Sequence, residues 1–375
     1  MADAVREPDH LAPRDDAIDA ARVFTTALVV LHHTSITYGG SGGWFYKEVP
    51  ASAAWSSQLL TFFTAVNQAW FMGFFFLLAG YYTAPALLAK GTWPFMRGRL
   101  QRLGLPLLLF GLVIGPITIA LARTAQGKPF LDTLLALWSR GTFEMGPLWF
   151  AWALLWLALL TLPLRPWLGA VRPVPPDRAL LAAALLTGVL ALALRQCWPV
   201  GVEVWGIQWG YAAGYGVLYG AGLLAAPGQW LQHWPEESVR RWRRVARWTL
   251  PVLPLAVLLG PRVFGWQGRA EGGWSVLAVV YAFWEPLLAW GLILRLLQTC
   301  RQRGAQLGAL GRQMARRAFA VFVIHPPVVV AVALAWRGVQ APALLKFALT
   351  GAVSLLVCYL LAGLALRAPG LRRVL

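Results

Sequence analysis

Uninterrupted apolar stretches recur from one end of this chain to the other, and no other feature constrains its fold as strongly. Stretches of about 18 or more apolar residues are typical of membrane-spanning helices, because lipid offers backbone N–H and C=O groups no partner. Of the 375 residues, 58% are hydrophobic and only 13% are charged, whereas a soluble domain carries about 25% charged residues. The sequence therefore predicts an all-α, polytopic integral membrane helix bundle.

We predict about ten transmembrane helices in one membrane domain. The predicted spans are residues 18–38, 64–88, 103–122, 147–164, 179–198, 204–225, 246–264, 274–297, 317–336 and 343–365. Residues 1–17 are expected to form a cytoplasmic N-terminal segment, 18–366 the membrane domain and 367–375 a cytoplasmic tail. No cleaved signal peptide is expected, because the first segment lacks an apolar core that ends at a small-residue cleavage site.

The lysines and arginines are distributed unequally between the two sides of these spans. With the N-terminus placed inside, 24 of the 33 fall in cytoplasmic segments and 9 on the other face. Because basic loops resist translocation, this asymmetry places both the N-terminus and the C-terminus in the cytoplasm. The net charge of +18 comes from clusters at helix ends, so the sequence favours membrane lipids as partners and not nucleic acid.

Two loops on the predicted outer face are candidates for substrate contact. Residues 39–63 contain a glycine-rich turn followed by three aromatic residues, and residues 123–146 carry five charged side chains. Glycines at four-residue spacing in the sixth predicted span favour close packing against another helix. The three cysteines are far apart in the sequence, so they predict neither a metal site nor a disulfide framework.

Ionisable side chains inside a predicted span are rare and costly in lipid, so each is a functional candidate. The first span carries Arg22 near its cytoplasmic end and His32 and His33 toward its outer end. Eleven residues make about three helical turns, or about 16–17 Å, so Arg22 and His33 share one face and His32 points about 100° away. Asp19, one turn before Arg22, is placed to bind its guanidinium.

This arrangement favours a catalytic role for His33 and Arg22. A neutral imidazole, with a reference pKa of about 6.5, can accept a proton from a hydroxyl group. An always-charged arginine can bind an anion or orient a partner. The alternatives are a polar packing contact for either histidine and a topological anchor for Arg22.

The spacing of Arg22 and His33 resembles the first-span hallmark of acyltransferase family 3, whose members O-acylate glycans and related substrates. Four further segments are similar to family motifs and occur in the same order. They are the aromatic second span at 74–81, the basic turn at 95–103, the Leu-Trp-Phe sequence at 148–150 and the segment 322–326. Ala79 stands where the family usually has serine, and Phe322 where tyrosine is common. The chain resembles the glucan-modifying members, since it lacks the additional hydrolase-like domain of the large ones.

The resemblance implies a membrane O-acyltransferase that moves an acyl group, such as acetyl or succinyl, from cytoplasmic acyl-CoA to a hydroxyl group. The acceptor would be a carbohydrate or a lipid-linked glycan. In this interpretation His33 is the general base, and Arg22 aligns it or stabilises charge. No bound cofactor and no metal are expected, since acyl-CoA is a substrate. The excess of arginine over lysine, 29 to 4, indicates a bacterium with a GC-rich genome, and we expect the protein in its inner (plasma) membrane.

Several further residues are candidates for binding the two substrates. Arg97, Arg99 and Arg102 form a cytoplasmic cluster that can hold the phosphates of acyl-CoA, since arginine binds phosphate in a bidentate geometry. Contact with lipid headgroups is the alternative for this cluster. The candidates for the acceptor or for the pocket wall are His32, Tyr81, Glu144, Trp149, Glu285 and His325.

Two of these candidates lie deep in predicted spans. Glu285 needs a cationic partner, a proton or a wet cavity at that depth. His325 precedes Pro326 and Pro327, where missing backbone donors are expected to open the helix locally.

Two other functions are compatible with buried arginine, glutamate and histidine residues. One is a transporter or flippase for an anionic lipid or solute, and the other is a structural partner in glycan export. Transporters commonly contain inverted repeats with paired broken spans, and the sequence has no evident repeat of this kind. The sequence therefore favours the acyltransferase.

Overall fold

A computed structural model describes residues 15–303 and 308–372, and these residues form an all-helical bundle. Within these ranges the only β pairing consists of two isolated bridges, Tyr38 with Val49 and Val204 with Ile207. Most of the predicted N-terminal segment and the last three residues of the predicted tail lie outside the described residues. The all-α prediction is therefore confirmed for the described chain.

We number twelve of the helices in chain order. They are α1 Asp16–Thr37, α2 Trp55–Lys90, α3 Thr92–Thr124, α4 Phe130–Ser139, α5 Gly146–Trp167, α6 Asp177–Cys197, α7 Ala212–Ala225, α8 Glu236–Thr249, α9 Val252–Val263, α10 Val276–Gln302, α11 Ala309–Ala335 and α12 Ala343–Ala365. Short helical turns at Trp209–Tyr211, Trp230–His233 and Pro369–Arg372 complete the regular structure of the described residues.

Seven helices of the described chain are long and apolar enough to cross a membrane: α2, α3, α5, α6, α10, α11 and α12. Each coincides with a predicted span. The other three predicted spans differ in length or polarity. Span 18–38 corresponds to the more polar α1, span 204–225 overlaps the shorter α7, and span 246–264 is divided between α8 and α9 around Pro251. The protein is therefore a multi-pass helix bundle, and the number ten stays a prediction.

The helix ends gather into two groups. The loops after α1, before α5, after α6 and between α9 and α10 surround one cavity, so we call this the cavity end. At the opposite end, the carboxylate of Asp15 caps α1 by accepting the backbone N–H groups of Ala17 and Ile18. The same carboxylate contacts Arg301 at the end of α10 and Gln232 in the segment before α8. We call this the Asp15 end.

A proline opens α3 next to the start of α5. Phe110–Ile114 forms a π-helical turn just before Pro116. Because proline has no N–H, the carbonyl of Leu112 loses its backbone donor, and an indole N–H from α4 donates to it at 2.8 Å. The adjacent carbonyl of Gly111 accepts the backbone N–H of Glu144 at 3.0 Å. The opened turn thereby holds the segment before α5 in place.

The helix α11 continues through Pro326 and Pro327 without a break, so the expected local opening is wrong. Pro326 leaves the carbonyl of Phe322 without its usual backbone donor. The Nδ1–H of His325 donates to this oxygen at 2.7 Å. The side chain thus replaces the missing backbone donor, and the bond leaves Nε2 of His325 as the unprotonated, accepting nitrogen.

The helices α2 and α7 cross at two glycines. A Cβ atom added to Gly80 would lie 2.1 Å from the backbone oxygen of Tyr219, and one added to Gly222 would lie 2.1 Å from that of Leu77. Small residues allow helices in lipid to approach this closely. The close packing expected from the glycines of the sixth predicted span is present against α2 at Gly222, whereas Gly216 and Gly220 meet no atom within 4 Å.

We expect Gly222→Ala to lower the melting temperature in detergent. The added methyl group meets a backbone oxygen, and overpacking of this kind costs about 1–3 kcal/mol. Gly220→Ala on the same helix is the matched control, since a Cβ atom there meets no atom within 4 Å and alanine favours a helix over glycine. Equal melting temperatures for wild type and Gly222→Ala would contradict the close crossing.

Candidate active site

A cavity of about 1110 Å³ lies at the cavity end of the bundle. Pockets for drug-sized ligands measure about 300–1,000 Å³, so this cavity has room for a larger molecule. Its wall includes His32, His33, Glu144 and Trp149, four residues that the sequence singled out. The fold therefore brings residues from α1, α5 and the segment before α5 to one surface.

His33 lies in a cluster of three nearly parallel rings. Its imidazole stacks on the indole of Trp44 with 3.9 Å between the ring centroids and 13° between the planes. The centroid of His325 lies 5.2 Å from that of His33, and the two planes differ by 17°. Trp44 and His325 are also parallel to within 7°, at 5.9 Å. The ring of His33 is thus oriented by one aromatic group from a loop and one from α11.

The histidines near the cavity carry polar atoms that are not satisfied by protein groups. Nδ1 of His32, Nδ1 of His33 and Nε2 of His325 are buried and have no hydrogen-bond partner among the described residues. Most buried polar atoms in proteins do have such a partner, and a catalytic role or a bound molecule is among the explanations for an exception. His325 is fully buried, whereas His33 is half-buried and faces the cavity. His33 is therefore the better placed to exchange a proton with a bound molecule.

The loop that carries Trp44 is fixed at two points. Glu48 forms a buried ion pair with Lys346 of α12, and Ser57 in the first turn of α2 donates to the carbonyl of Gly39 at 2.5 Å. Removing one partner of a buried ion pair is strongly destabilising. The loop is therefore held against two helices, which gives His33 a rigid neighbour.

Glu144 and Trp149 flank the start of α5. Oε1 of Glu144 accepts the backbone N–H of Gly146 at 2.9 Å, and its Oε2 makes no hydrogen bond to the part of the chain that the structure describes. Trp149 stacks against Tyr215 of α7 with ring centroids 5.4 Å apart. The cavity therefore presents one free carboxylate oxygen and an aromatic surface on this side.

Arg22 is not among the residues that line the cavity. It pairs with Asp19 at 2.9 Å, the contact that their spacing predicts. The cavity-lining residue of α1 that comes nearest to it in sequence is Val29, seven residues or about 10 Å along the helix. The structure does not bring Arg22 and His33 together, and the catalytic roles of both stay predictions.

The predicted basic cluster lies at the start of α3, toward the Asp15 end. Arg97 and Arg102 are exposed, and Arg99 is half-buried. Arg99 donates to the hydroxyl oxygen of Thr83 at 2.6 Å and lies 5.1 Å from the ring of Phe95. Two of the three guanidinium groups are therefore free to bind an anion, and the third is held against α2.

Tyr81 and Glu285 lie away from His33. The hydroxyl of Tyr81 donates to Gln232 at 2.7 Å, at the Asp15 end. Glu285 of α10 pairs with Arg195 of α6, and both side chains are buried. Of the three alternatives that the sequence gives for Glu285, a cationic partner, a proton or a wet cavity, the structure shows a cationic partner, Arg195.

The family model described as an acyltransferase domain, acyltransferase family 3, matches residues 15–363. The protein belongs to this family. No curated protein and no solved structure matches the chain. The resemblance inferred from the motifs is confirmed, and with the seven apolar helices it makes the protein a membrane acyltransferase.

The arrangement in this acyltransferase suits proton transfer at the cavity wall. A histidine with an accessible position, an ordered ring and few competing hydrogen bonds can act as a general base. Within 15–303 and 308–372, no group of three or more histidine, cysteine, aspartate or glutamate side chains is placed to hold a metal ion. The sequence singled out His33 from its spacing but gave no role to Trp44, which it placed only in an aromatic loop.

We expect Trp44→Ala to slow acyl transfer per folded molecule by roughly two- to tenfold, because aromatic stacking contributes about 0.5–1.5 kcal/mol. Trp44→Phe should retain most of the rate, since a second ring can stack on His33. Trp55→Ala is the matched control, because that side chain is 71% exposed. The measurement is the rate of acyl transfer in membranes, normalised to folded protein. A full rate in Trp44→Ala would contradict the orienting role.

Proposed function

We propose that this acyltransferase moves an acyl group from acyl-CoA, bound at the Asp15 end, to a hydroxyl group of a carbohydrate or lipid-linked glycan in the cavity. The observation that carries the proposal is the position of His33. It lies on the cavity wall, at the opposite end of α1 from Arg22 and on the far side of the bundle from the basic cluster. The two substrates would therefore approach from opposite ends.

We infer ten membrane crossings with the N-terminus and C-terminus both in the cytoplasm. In support, the chain alternates between the two ends: Lys346 of α12 pairs with Glu48 at the cavity end, and Asp177 of α6 pairs with Arg241 of α8 at the Asp15 end. The distribution of 24 and 9 basic residues favours the Asp15 end as the cytoplasmic one. The membrane would be the inner (plasma) membrane of a bacterium.

The donor half of the site would be the basic start of α3. The exposed guanidinium groups of Arg97 and Arg102 can bind the phosphates of acyl-CoA in a bidentate geometry. Arg22 pairs with Asp19 one turn before it, and its spacing of eleven residues from His33 puts both on one face of α1. The extended pantetheine arm would run along this face, past Val29, and carry the thioester toward the cavity.

The reaction needs one proton acceptor and no change of oxidation state. His33 would take the proton of the acceptor hydroxyl as its oxygen attacks the thioester carbonyl. The new C–O ester bond forms, the C–S bond breaks, and the thiolate of CoA leaves and takes the proton back from His33. While His33 is protonated, the stacked indole of Trp44 would stabilise its positive charge by a cation–π interaction.

The remaining candidates would shape the site around this step. The free carboxylate oxygen of Glu144 can accept a hydrogen bond from an acceptor hydroxyl, and Trp149 offers an aromatic surface on the same wall. His325 would support His33 from behind through ring stacking. Membership of an acyltransferase family favours this reaction over a transporter or flippase and over a structural partner in export.

We expect Arg97→Ala combined with Arg102→Ala to weaken acyl-CoA binding roughly tenfold or more, since hydrogen bonds to charged groups contribute about 1.5–3 kcal/mol. The loss should be larger at low salt, because exposed charges are screened as ionic strength rises. Isothermal calorimetry with acetyl-CoA measures the affinity. Arg140→Ala, an exposed arginine beside α4, is the control. Unchanged affinity in the folded double variant would limit the cluster to a topological role.

We expect His33→Ala to lower acyl transfer per folded molecule by about 10²–10⁴-fold, the usual contribution of a general base. Its melting temperature should stay close to that of the wild type, because the ring is only half-buried. His32→Ala is the matched control and should keep measurable activity, since its ring packs on Phe71. Radiolabel transfer and thermal unfolding are measured on the same preparations.

Arg22→Lys extends this test to the donor side. Lysine keeps the positive charge near Asp19, but its ammonium group does not reproduce a planar guanidinium, so we expect a large loss of transfer.

Full transfer by folded His33→Ala would remove the catalytic assignment. Loss of transfer that only follows loss of folded protein would make His33 a packing residue.

A further inference from the structure

A second, smaller pocket of about 40 Å³ adjoins the cavity. Gln68, Tyr211 and Tyr215 line both spaces, so the two are neighbours with shared walls. The charged part of the small pocket is the ion pair of Arg195 and Glu285, and Gln68 and Thr187 add polar side chains to its wall. At about 10–15 Å³ for each water-sized position, the pocket has room for about three such positions, which is the size of a small polar group.

The ion pair leaves one donor and one acceptor unused. Nη2 of Arg195 binds Oε2 of Glu285, and Nε of Arg195 donates to the carbonyl of Gly210 at 3.0 Å. Nη1 of Arg195 and Oε1 of Glu285 are buried and make no hydrogen bond of normal geometry to the residues described, although the hydroxyl of Tyr281 approaches the Glu285 carboxylate. The side chain of Arg195 is 0% exposed. Charged groups left unpaired in the interior are costly. The pair therefore points to a further group that binds both atoms.

The charges of the pair decide which chemistry fits. A carboxylate or phosphate at this position would gain one donor from Arg195 but would be repelled by Glu285. An ammonium group would be attracted by Glu285 but repelled by Arg195. A hydroxyl group both donates and accepts, so it satisfies Oε1 of Glu285 and Nη1 of Arg195 together without adding charge.

Aromatic rings surround the pair on the side of the large cavity. Cζ of Arg195 lies 4.6 Å from the ring centroid of Tyr281 and 5.5 Å from that of Tyr211. Both tyrosines also line the large cavity, and their hydroxyl groups lie 3.2 Å apart. A binding site of few polar groups set among aromatic walls is typical of pockets that orient a ligand. Here the walls suit the C–H faces of a sugar ring.

We propose that Arg195 and Glu285 form an acceptor subsite that binds a hydroxyl-bearing edge of an uncharged sugar residue, such as its hydroxymethyl group. This inference rests on the proposed function and deepens it by naming the acceptor class. The pair lies beside the cavity and not at the reacting atoms, so both are positioning residues. By holding one sugar unit, they set which part of the acceptor reaches His33.

The matched test uses two oligosaccharide probes of equal length and opposite character. One is a linear, uncharged glucose pentasaccharide, and the other is a galacturonic acid pentasaccharide, which carries carboxylates. Calorimetry in detergent gives the affinity of wild type, Glu285→Gln and the double variant Arg195→Met with Glu285→Met for each probe. Acetyl-CoA binding and melting temperature are measured on the same samples.

We expect wild type to bind the uncharged probe and to discriminate against the acidic one. Glu285→Gln keeps the volume but leaves the charge of Arg195 uncompensated, so the ratio of affinities should shift toward the acidic probe by roughly tenfold or more. The double variant should lose affinity for the uncharged probe by roughly tenfold to a hundredfold. It should stay folded, since hydrophobic replacement of a buried ion pair is often neutral or stabilising.

A purely structural ion pair predicts a different set of results. The melting temperature would then change while the ratio of the two affinities stayed constant, and this would overturn the subsite. Failure of wild type to bind the uncharged probe, or a preference for the acidic one, would also overturn it. Because Glu285→Gln removes one charge of a buried ion pair, which is destabilising, it is the variant that can fail to fold, and the double variant alone then decides the question. If the wild-type protein does not bind acetyl-CoA, that result overturns the proposed function and not only the subsite.

Discussion

The need to satisfy every backbone polar group away from water shapes this protein more than any other interaction. Prolines in α3 and α11 remove backbone donors, and the freed carbonyl oxygens are taken up by groups near the site. His325 donates to the oxygen that Pro326 leaves free, and the N–H of Glu144 binds an oxygen in the opened turn before Pro116. The hydrogen bonds that satisfy these two backbone oxygens thus also orient two residues of the candidate site.

Polar groups of this acyltransferase are concentrated at a few places within an apolar bundle. The pair of Glu48 and Lys346 fixes the loop over His33, and the pair of Arg195 and Glu285 stands beside the cavity. Each pair joins segments far apart in the sequence, so each constrains the shape of the cavity as well as its charge. The rings near His33 then give this region an ordered, largely apolar wall.

Much of the fold follows from local patterns in the sequence. Seven apolar stretches become long helices at the predicted places, and Gly222 of the sixth span lies at a close helix crossing. The division of one predicted span around Pro251 did not follow, since apolar runs alone do not report where a helix changes direction. Helical spacing placed His33 on a defined face. Its stacking on Trp44 and the pairing of Glu285 with Arg195, however, depend on tertiary contacts between residues 11 and 90 positions apart in the sequence. Such contacts have no periodic signature.

The central claim is that the donor and the acceptor reach His33 from opposite ends of the bundle. Sealed proteoliposomes of known orientation test it directly, because acyl-CoA does not cross a lipid bilayer unaided. Single cysteines introduced into a cysteine-free background, at the exposed Lys47 of the cavity end and the exposed His233 of the Asp15 end, report the orientation with an impermeant reagent. We predict that radiolabel reaches carbohydrate on the cavity side only when acyl-CoA is supplied on the Asp15 side. Equal transfer with acyl-CoA supplied on the cavity side alone would contradict the account.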